Sequence, residues 1–452
     1  MNNLKVGFSQ VNINPSLGDP VAGYFVPRFG KGFLDDLTIS TILLTCEETK
    51  IALISIDIVG FTKEFYKNVC EEIEKATNIP KENIFMSATH THTGAFVTPD
   101  STFSGDQKIL EEYAEFVTSR LIESVAIAKQ DIKPAKMGFI TGYAPERVAY
   151  IRLYKMKDGT TMTCPPIDDP NIDHPLGELD QRVNVVRFDR EDAPNIVLVN
   201  YGLHADTTNG ELFSADWPHW LRVTLDKALD GVKCVFFNGA EGDVGSTNVH
   251  PTGGDMNDTD ISFDNEMKSP GMARFVGRAI AGSVLQVYDK AEYIDVENID
   301  ILHKTIRVPS NMPKKHEIPL AKKYKELHES GRDDEIPFEA MELTTVVAEA
   351  IRICDLQNGP EFFEIELTGV KIGDIAMLGI PGEPFTDIGV QIKKAPGYKM
   401  IMPCSLTCGD MGYFPTKPAF DAGGYEARSS LYKPCIAEKI VKGSVELLES
   451  MK

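Results

Sequence analysis

The chain has 452 residues, and its 46 Lys and Arg against 67 Asp and Glu leave a formal net charge of −21 at pH 7. Nucleic acid and anionic membrane surfaces are held by clustered cations, so this balance excludes the first as a partner and disfavours the second. Apolar residues make up 42% and charged residues 25%, with 36 Gly and 27 Pro, which is globular usage; at roughly 100–200 residues per domain the length admits two or three domains or one large unit.

The amino-terminal stretch MNNLKVGFSQVNINP carries one lysine and no apolar segment, so it does not read as a secretory signal. The longest apolar runs, 51–61 and 196–203, fall short of the about 18–20 residues of a membrane span. Both observations point to the cytoplasm. Eight thinly spread cysteines suit reduced thiols, and the one close pair, Cys404 and Cys408, reads as structural.

In chain order, Ile51 to Val59 is an apolar, β-branched run that predicts a buried strand, and Lys63 to Thr77 has helical spacing. A strand at Ile84 to Ala88 and a long amphipathic helix at Glu111 to Lys129 follow. After a Gly/Pro-punctuated region come strands at Val183 to Phe188 and Ile196 to Tyr201, a helix at Leu221 to Leu229, a strand at Cys234 to Phe237 and a helix at Met272 to Ala291. Residues 308–345 are charged and Pro-bounded, and they read as an exposed helical insertion or lid. Phe338 to Cys354 is helical, Phe362 to Val370 and Ile375 to Leu378 are strands, and Ala437 to Leu448 closes as a helix. The alternation predicts an α/β fold, with mixed β-sheets and flanking helices.

Chemistry collects where strands end. SATHTHTG, Ser87 to Gly94, follows a strand and carries His90 and His92 at i, i+2, so both rings share one side if the backbone stays extended. A pair of hydrogen-bonded core histidines is the bland alternative. Three further strands end the same way: at His204 and Asp206, at Glu241 and Asp243, and at Glu383. Carboxyl ends of strands are where α/β sheets hold ligands. Histidines with a carboxylate are the ligand set of a catalytic zinc, and their wide separation argues against a zinc-finger site. GAEGDVG lacks the GxGxxG and GxxxxGK[ST] patterns, which argues against a nucleotide site.

These segments resemble the N-terminal catalytic domain of the neutral/alkaline non-lysosomal ceramidase family, in its shorter bacterial form. SATHTHTG is similar to that family's SATHTHSG. LVNYGLHADTT resembles its second histidine segment, FNGAEGDVG its Gly-Asp-Val turn, GIPGEPFT its glutamate segment, and GYFPT with GYEARSS its two-tyrosine segment. The similarity keeps its order from Val6 to Ser430, which implies a single large ceramidase-like domain over 1–452. The resemblance implies zinc ligands at His90, His204, Glu383 and Tyr413. It makes His92 the group that assists an attacking water, Tyr425 a substrate-polarising hydroxyl, and Arg152 the active-site arginine, with Arg147 the weaker match.

Two departures stand out. Gly245 occupies the place of a serine considered for the family's catalytic step, with Ser246 one position later, so direct attack by metal-activated water is expected. No counterpart of the family's C-terminal immunoglobulin-like domain or secretion signal is expected either. Candidate substrate contacts are Trp217 and His219, which with Trp220 form the segment DWPHW, and Asp243 and Gly245; Asp206 and Asp243 also suit orienting acceptors. His174, His250, His303, His316 and His328 read as surface residues. The expectation is a zinc-dependent amidohydrolase acting on a small soluble substrate. Its rivals are a lactone or ester hydrolase, a metal-dependent lyase or isomerase on a sugar- or cyclitol-derived compound, a true N-acylsphingosine amidohydrolase, and a binder without turnover. A homo-oligomer is among the open assembly states.

Overall fold

The computed structural model describes residues 3–99, 102–103 and 105–452. Its main sheet has nine strands. Eight form a continuous path: β1 (Leu4–Asn12), β2 (Thr38–Cys46), β3 (Thr49–Ile56), β4 (Ile84–Ala88), β5 (Lys133–Tyr143), β6 (Arg182–Arg190), β7 (Ile196–Tyr201) and β8 (Lys233–Asn238). Their spatial order is β8-β7-β6-β5-β1-β2-β3-β4, and Glu292–Ile294 adds to β5. The central pairs are antiparallel, whereas β3/β4 at one edge and β7/β8 at the other are parallel.

Parallel neighbours need a crossover, and each pair has one. Helix α1 (Lys63–Thr77) joins β3 to β4. Its start is set by Thr62, whose hydroxyl accepts from the Phe65 amide, and its end by Asn78 in the left-handed region. After β4, α2 (Gln107–Gln130) returns the chain to β5. Helix α3 (Asp216–Ala228) joins β7 to β8, starting five residues before the expected Leu221 because Pro218 is tolerated in a first turn. Helix α4 (Pro270–Val287) follows β8, capped by the Ser269 hydroxyl.

Burial explains the layers. Helices α1 and α2 cover one half of the sheet through Val69, Ile73, Val117 and Leu121. Helices α3 and α4 cover the other through Leu221, Leu225, Val276 and Ile280. The uncovered faces curl toward each other: Phe85 of β4 meets Phe237 of β8 with ring centroids 6.0 Å apart, and Ser55 of β3 donates to the Phe236 carbonyl at 2.6 Å.

A second sheet of four strands completes this inner core: β9 (Ile299–Pro309), β10 (Phe362–Ile372), β11 (Ile375–Gly379) and β12 (Met400–Cys404), in that order. Its last pair, β11/β12, is again parallel, with the short helix Thr386–Ile392 as crossover. Between β9 and β10 lie α5 (Ile318–Glu329), within the charged stretch 308–345, and α6 (Ala340–Leu356). Helix α7 (Ile436–Ser450) packs on the second sheet. No described helix is long and apolar enough to cross a membrane. All eight cysteines are unpaired, Cys404 and Cys408 among them.

The fold is therefore the mixed α/β architecture expected, with three parallel strand pairs at its organising points. Asn200 on β7 donates to the Pro403 carbonyl of β12 at 2.9 Å, and Ser87 on β4 donates to the Ser405 carbonyl at 2.8 Å. These bonds draw the carboxyl ends of all three pairs together.

Candidate metal centre and cleft

His90 follows β4 with a left-handed backbone, φ 67°, so the chain turns there rather than running extended. That conformation is costly away from glycine, and it is held by an amide bond to the Ile58 carbonyl at 3.1 Å. Nδ1 of His90 lies 2.6 Å from the Val59 carbonyl. His204, after β7, points Nδ1 at the carbonyls of Glu241 and Val244, 2.9 and 3.0 Å away. A carbonyl only accepts, so the protons of both rings sit on Nδ1 and both Nε2 atoms offer lone pairs.

Those lone pairs meet a carboxylate. Glu383, after β11, places Oε2 at 3.1 Å from Nε2 of His204 and 3.4 Å from Nε2 of His90. Among the described residues this buried oxygen has no hydrogen-bond partner. Two ring nitrogens and a carboxylate oxygen turned on one point, with only His204 also reached by the Arg152 guanidinium, form an arrangement a cation resolves, and these separations match adjacent ligands on an ion with bonds of about 2.0–2.2 Å. Nε2 of His92 lies 3.2 Å from that of His90. His90, His92 and His204 form a group that can hold a metal ion, two of them buried and His92 half-buried. Protons can also neutralise this group: burial would lower His90, but Glu383 raises it to about 10, and burial would raise Glu383, but His90 and His204 pull its carboxyl well below the usual range. Burial, then His90 and His204, push His92 down.

Tyr413 reaches the same place by strand pairing, because the short strands Glu383–Pro384 and Tyr413–Phe414 run parallel with Glu383 opposite Tyr413. Its ring stacks on His204 at 6.5 Å. Burial, reinforced by Glu383, raises its phenol well above the ordinary value. Tyr425 packs edge-on against Tyr413 at 5.6 Å. Arg152 brings Nη1 to 3.1 Å from Nε2 of His204 and Nη2 to 2.9 Å from Glu426. Burial would lower it, but Glu426 holds it well above its usual value, so it stays cationic.

His92, Arg152, Tyr413 and Tyr425 all line one cleft of about 50 Å³, together with Tyr24 and Asp206. Gly23, at φ +97°, lets the backbone lie on His92; a Cβ there would come within 2.7 Å of the ring.

Other sequence candidates lie elsewhere. Trp217 is fully buried, donates to the His204 carbonyl at 3.0 Å and packs on Phe236, so it supports the histidine from below and does not line the cleft. His219 faces Asp35 at 3.8 Å and Trp220, also outside it. Asp243 accepts from the amide and hydroxyl of Thr386, both at 2.7 Å, tying the β8 loop to the Glu383 segment. Gly245 leaves room for Arg152, whose Cγ would be 3.1 Å from a Cβ at that position. Ser246 lines a separate cleft. Arg147 is exposed and paired with Asp255. His174, His250, His303 and His316 are exposed and His328 is half-buried.

The sequence reading missed one group. Lys268 has a fully buried side chain that donates to Asp206 at 2.6 Å and also to Tyr24, and it pairs with Glu266 at 2.8 Å. Tyr24 donates in turn to Asp206 at 2.5 Å, and Asp206 lies 3.6 Å from Nδ1 of His92. Burial would lower Lys268, but Asp206 and Glu266 hold it well above its usual value.

No protein-family model matches the sequence, and neither does any curated protein. Solved structures do match. The neutral ceramidase from Pseudomonas aeruginosa superposes with a TM-score of 0.72 at 14% identity, over 100% of this chain and 75% of that one. A ceramidase complexed with C2 gives 0.71 and 14%, over 100% and 76%. The chain therefore has the fold of these ceramidases.

Proposed function

We propose that the protein is a zinc-dependent hydrolase, acting in the cytoplasm on an amide bond of a small polar substrate. One observation carries this: the unpartnered Oε2 of Glu383 faces the Nε2 lone pairs of His90 and His204 at the joined ends of three parallel strand pairs. His90, His204 and Glu383 would hold the ion, with Tyr413 beside them. Zinc bound there supplies a Lewis acid that polarises a carbonyl and lowers the pKa of water to about 7.

The chain's own groups do the rest. Arg152, cationic and buried, donates to the carbonyl oxygen as negative charge develops on it, and Tyr425 adds a hydroxyl on the same cleft. His92 is the proton carrier, taking a proton from the attacking water and giving it to the leaving nitrogen, a contribution of roughly 10²–10⁴-fold. With Gly245 against Arg152 and Ser246 on another cleft, no hydroxyl of that turn suits an acyl-enzyme route. The fold shared with ceramidases supports an amide; the cleft volume of about 50 Å³ supports a small substrate. Eight unpaired thiols support the reducing compartment.

The test is zinc analysis of the purified chain and of His90→Ala and Glu383→Ala. Stoichiometric zinc in the native chain, lost in both variants, is expected; full occupancy in both variants overturns the assignment. Incorporation of ¹⁸O from labelled water into product separates hydrolysis from a lyase or isomerase.

A further inference from the structure

One wall of the cleft, running from Glu266 beside Arg152, is the tip of a hairpin in which Asp260–Ile261 pairs with Met267–Lys268. The tip carries Phe263, Asp264 and Glu266, and these line the cleft together with Tyr24 and Asp206. Three carboxylates on one small wall would repel one another and protonate unless compensated. Compensation comes from behind. The Lys268 ammonium, fully buried, touches Asp206 and Glu266 and stands 3.6 Å from Asp264. The Arg28 guanidinium, also buried, lies over the far face of the same assembly, 4.0 Å from the Tyr24 ring centroid. Neither cation lines the cleft.

The wall therefore shows acceptors at the front and keeps its cations at the rear. Asp206 spends its oxygens on Tyr24 and Lys268, and Glu266 spends its own on Lys268 and the Cys164 thiol. Asp264 is different: Oδ1 accepts from Ser262, while Oδ2 has only the longer contact to Lys268. Arg152, beside Glu266, is balanced by Glu426. A ligand entering here meets acceptor oxygens with spare capacity and one spare negative charge, counting three carboxylates against Lys268 and Arg28. At the mouth, Phe263 is half exposed and stands edge-on to Tyr24 at 6.0 Å.

Resting on the hydrolase reading, we infer that the substrate presents a protonated amine to the Asp264 wall and that Asp264 is the residue that selects it. A carboxylate or phosphate beside Asp264 would face three like charges, because the donors lining the cleft, Arg152 and Tyr425, are taken by the scissile carbonyl. A neutral group would use the acceptors without the charge. The inference concerns the part of the substrate remote from the scissile bond.

Calorimetric titration of the zinc-loaded full chain with three amides of matched size tests this. N-acetylputrescine is cationic, N-butylacetamide neutral and N-acetyl-γ-aminobutyrate anionic. The cationic amide is expected to bind at least about tenfold tighter than the anionic one, the scale of one charged hydrogen bond. Asp264→Asn should erase most of that preference and Asp264→Glu should retain it, with melting curves confirming that both variants fold. Equal affinities, tighter binding of the anion, or a preference unchanged in Asp264→Asn overturns the inference even if all three amides are hydrolysed. Binding in the expected order with no turnover of any of them leaves the inference standing and counts against the hydrolase reading instead.

Discussion

Two buried charge clusters meet on either side of His92, beside one small cleft, and they solve the same problem differently. At the centre, Glu383 sits against the lone pairs of His90 and His204 and keeps an oxygen without a partner. At the wall, Asp206 and Glu266 sit against Lys268, and their cation is part of the chain. An acceptor cluster must be neutralised when it is buried. The wall carries its neutralising charge covalently, so it is complete on folding. The centre leaves the position open, which is what a site that exchanges an ion and meets a substrate requires. The difference also follows the elements. The centre rests on strand ends tied by cross-sheet bonds, whereas the wall is a hairpin tip clamped to loops.

The strongest way to break this comparison is to take away the built-in cation. Lys268→Met strands Asp206 and Glu266 in a buried site and should lower stability by about 3–5 kcal/mol, the cost of removing one partner of a buried pair. Denaturant titration reads it; a loss under about 1 kcal/mol would mean that the wall does not depend on Lys268. A smaller effect separates the clusters. Chelating zinc should lower the stability of the native chain by about 2–4 kcal/mol, as mass action gives for an ion held far above its Kd. Glu383→Ala should show no such drop, and Lys268→Met should keep it. If Lys268→Met removed the chelator response, the two clusters would be one cooperative unit.

What the sequence made legible follows the same division. The centre was readable because each ligand follows an apolar run: His90 after Ile84–Ala88, His204 after Ile196–Tyr201, Glu383 after Ile375–Gly379. Hydrophobic periodicity signals such strands, and a Gly-containing turn signals their ends. The geometry at His90 was not readable, since nothing local announces a left-handed histidine. The central strands β5, β1 and β2 of the main sheet and the edge strands β9 and β12 of the second escaped too. β1 and β9 mix exposed with buried positions, and β12 carries Pro403 within it, which argues against a strand. Of the wall only Asp206 was readable, as a carboxylate after β7; Tyr24 and Lys268 gave no signal, because they reach it from two distant stretches with no period. DWPHW misled for a physical reason. Once Asp216 opens α3, Trp217 falls on the face that packs into the core, and His219 turns away from the cleft.

His219 supplies the smallest and most selective test, because it represents a third solution: a buried partner that pH can turn into a cation. It stands 3.8 Å from Asp35, half-buried, with Arg222 nearby. Burial first and Arg222 second push its pKa down to about 4 from 6.5. The folded chain thus holds His219 neutral where the unfolded chain would protonate it. Its contribution to stability is full above pH 6.5 and is lost as pH falls from 6.5 through about 4. Because the ring is partly exposed, the loss is about 1–2 kcal/mol rather than the full value of the shift. In His219→Gln this part of the acid dependence should vanish, while the chelator response and the Lys268 effect stay as they are. Stability curves of native and variant chains measured between pH 7 and 4 should converge toward the acid end. If they remain parallel, His219 is already charged in the folded chain and Asp35 is paired much as Asp206 is with Lys268.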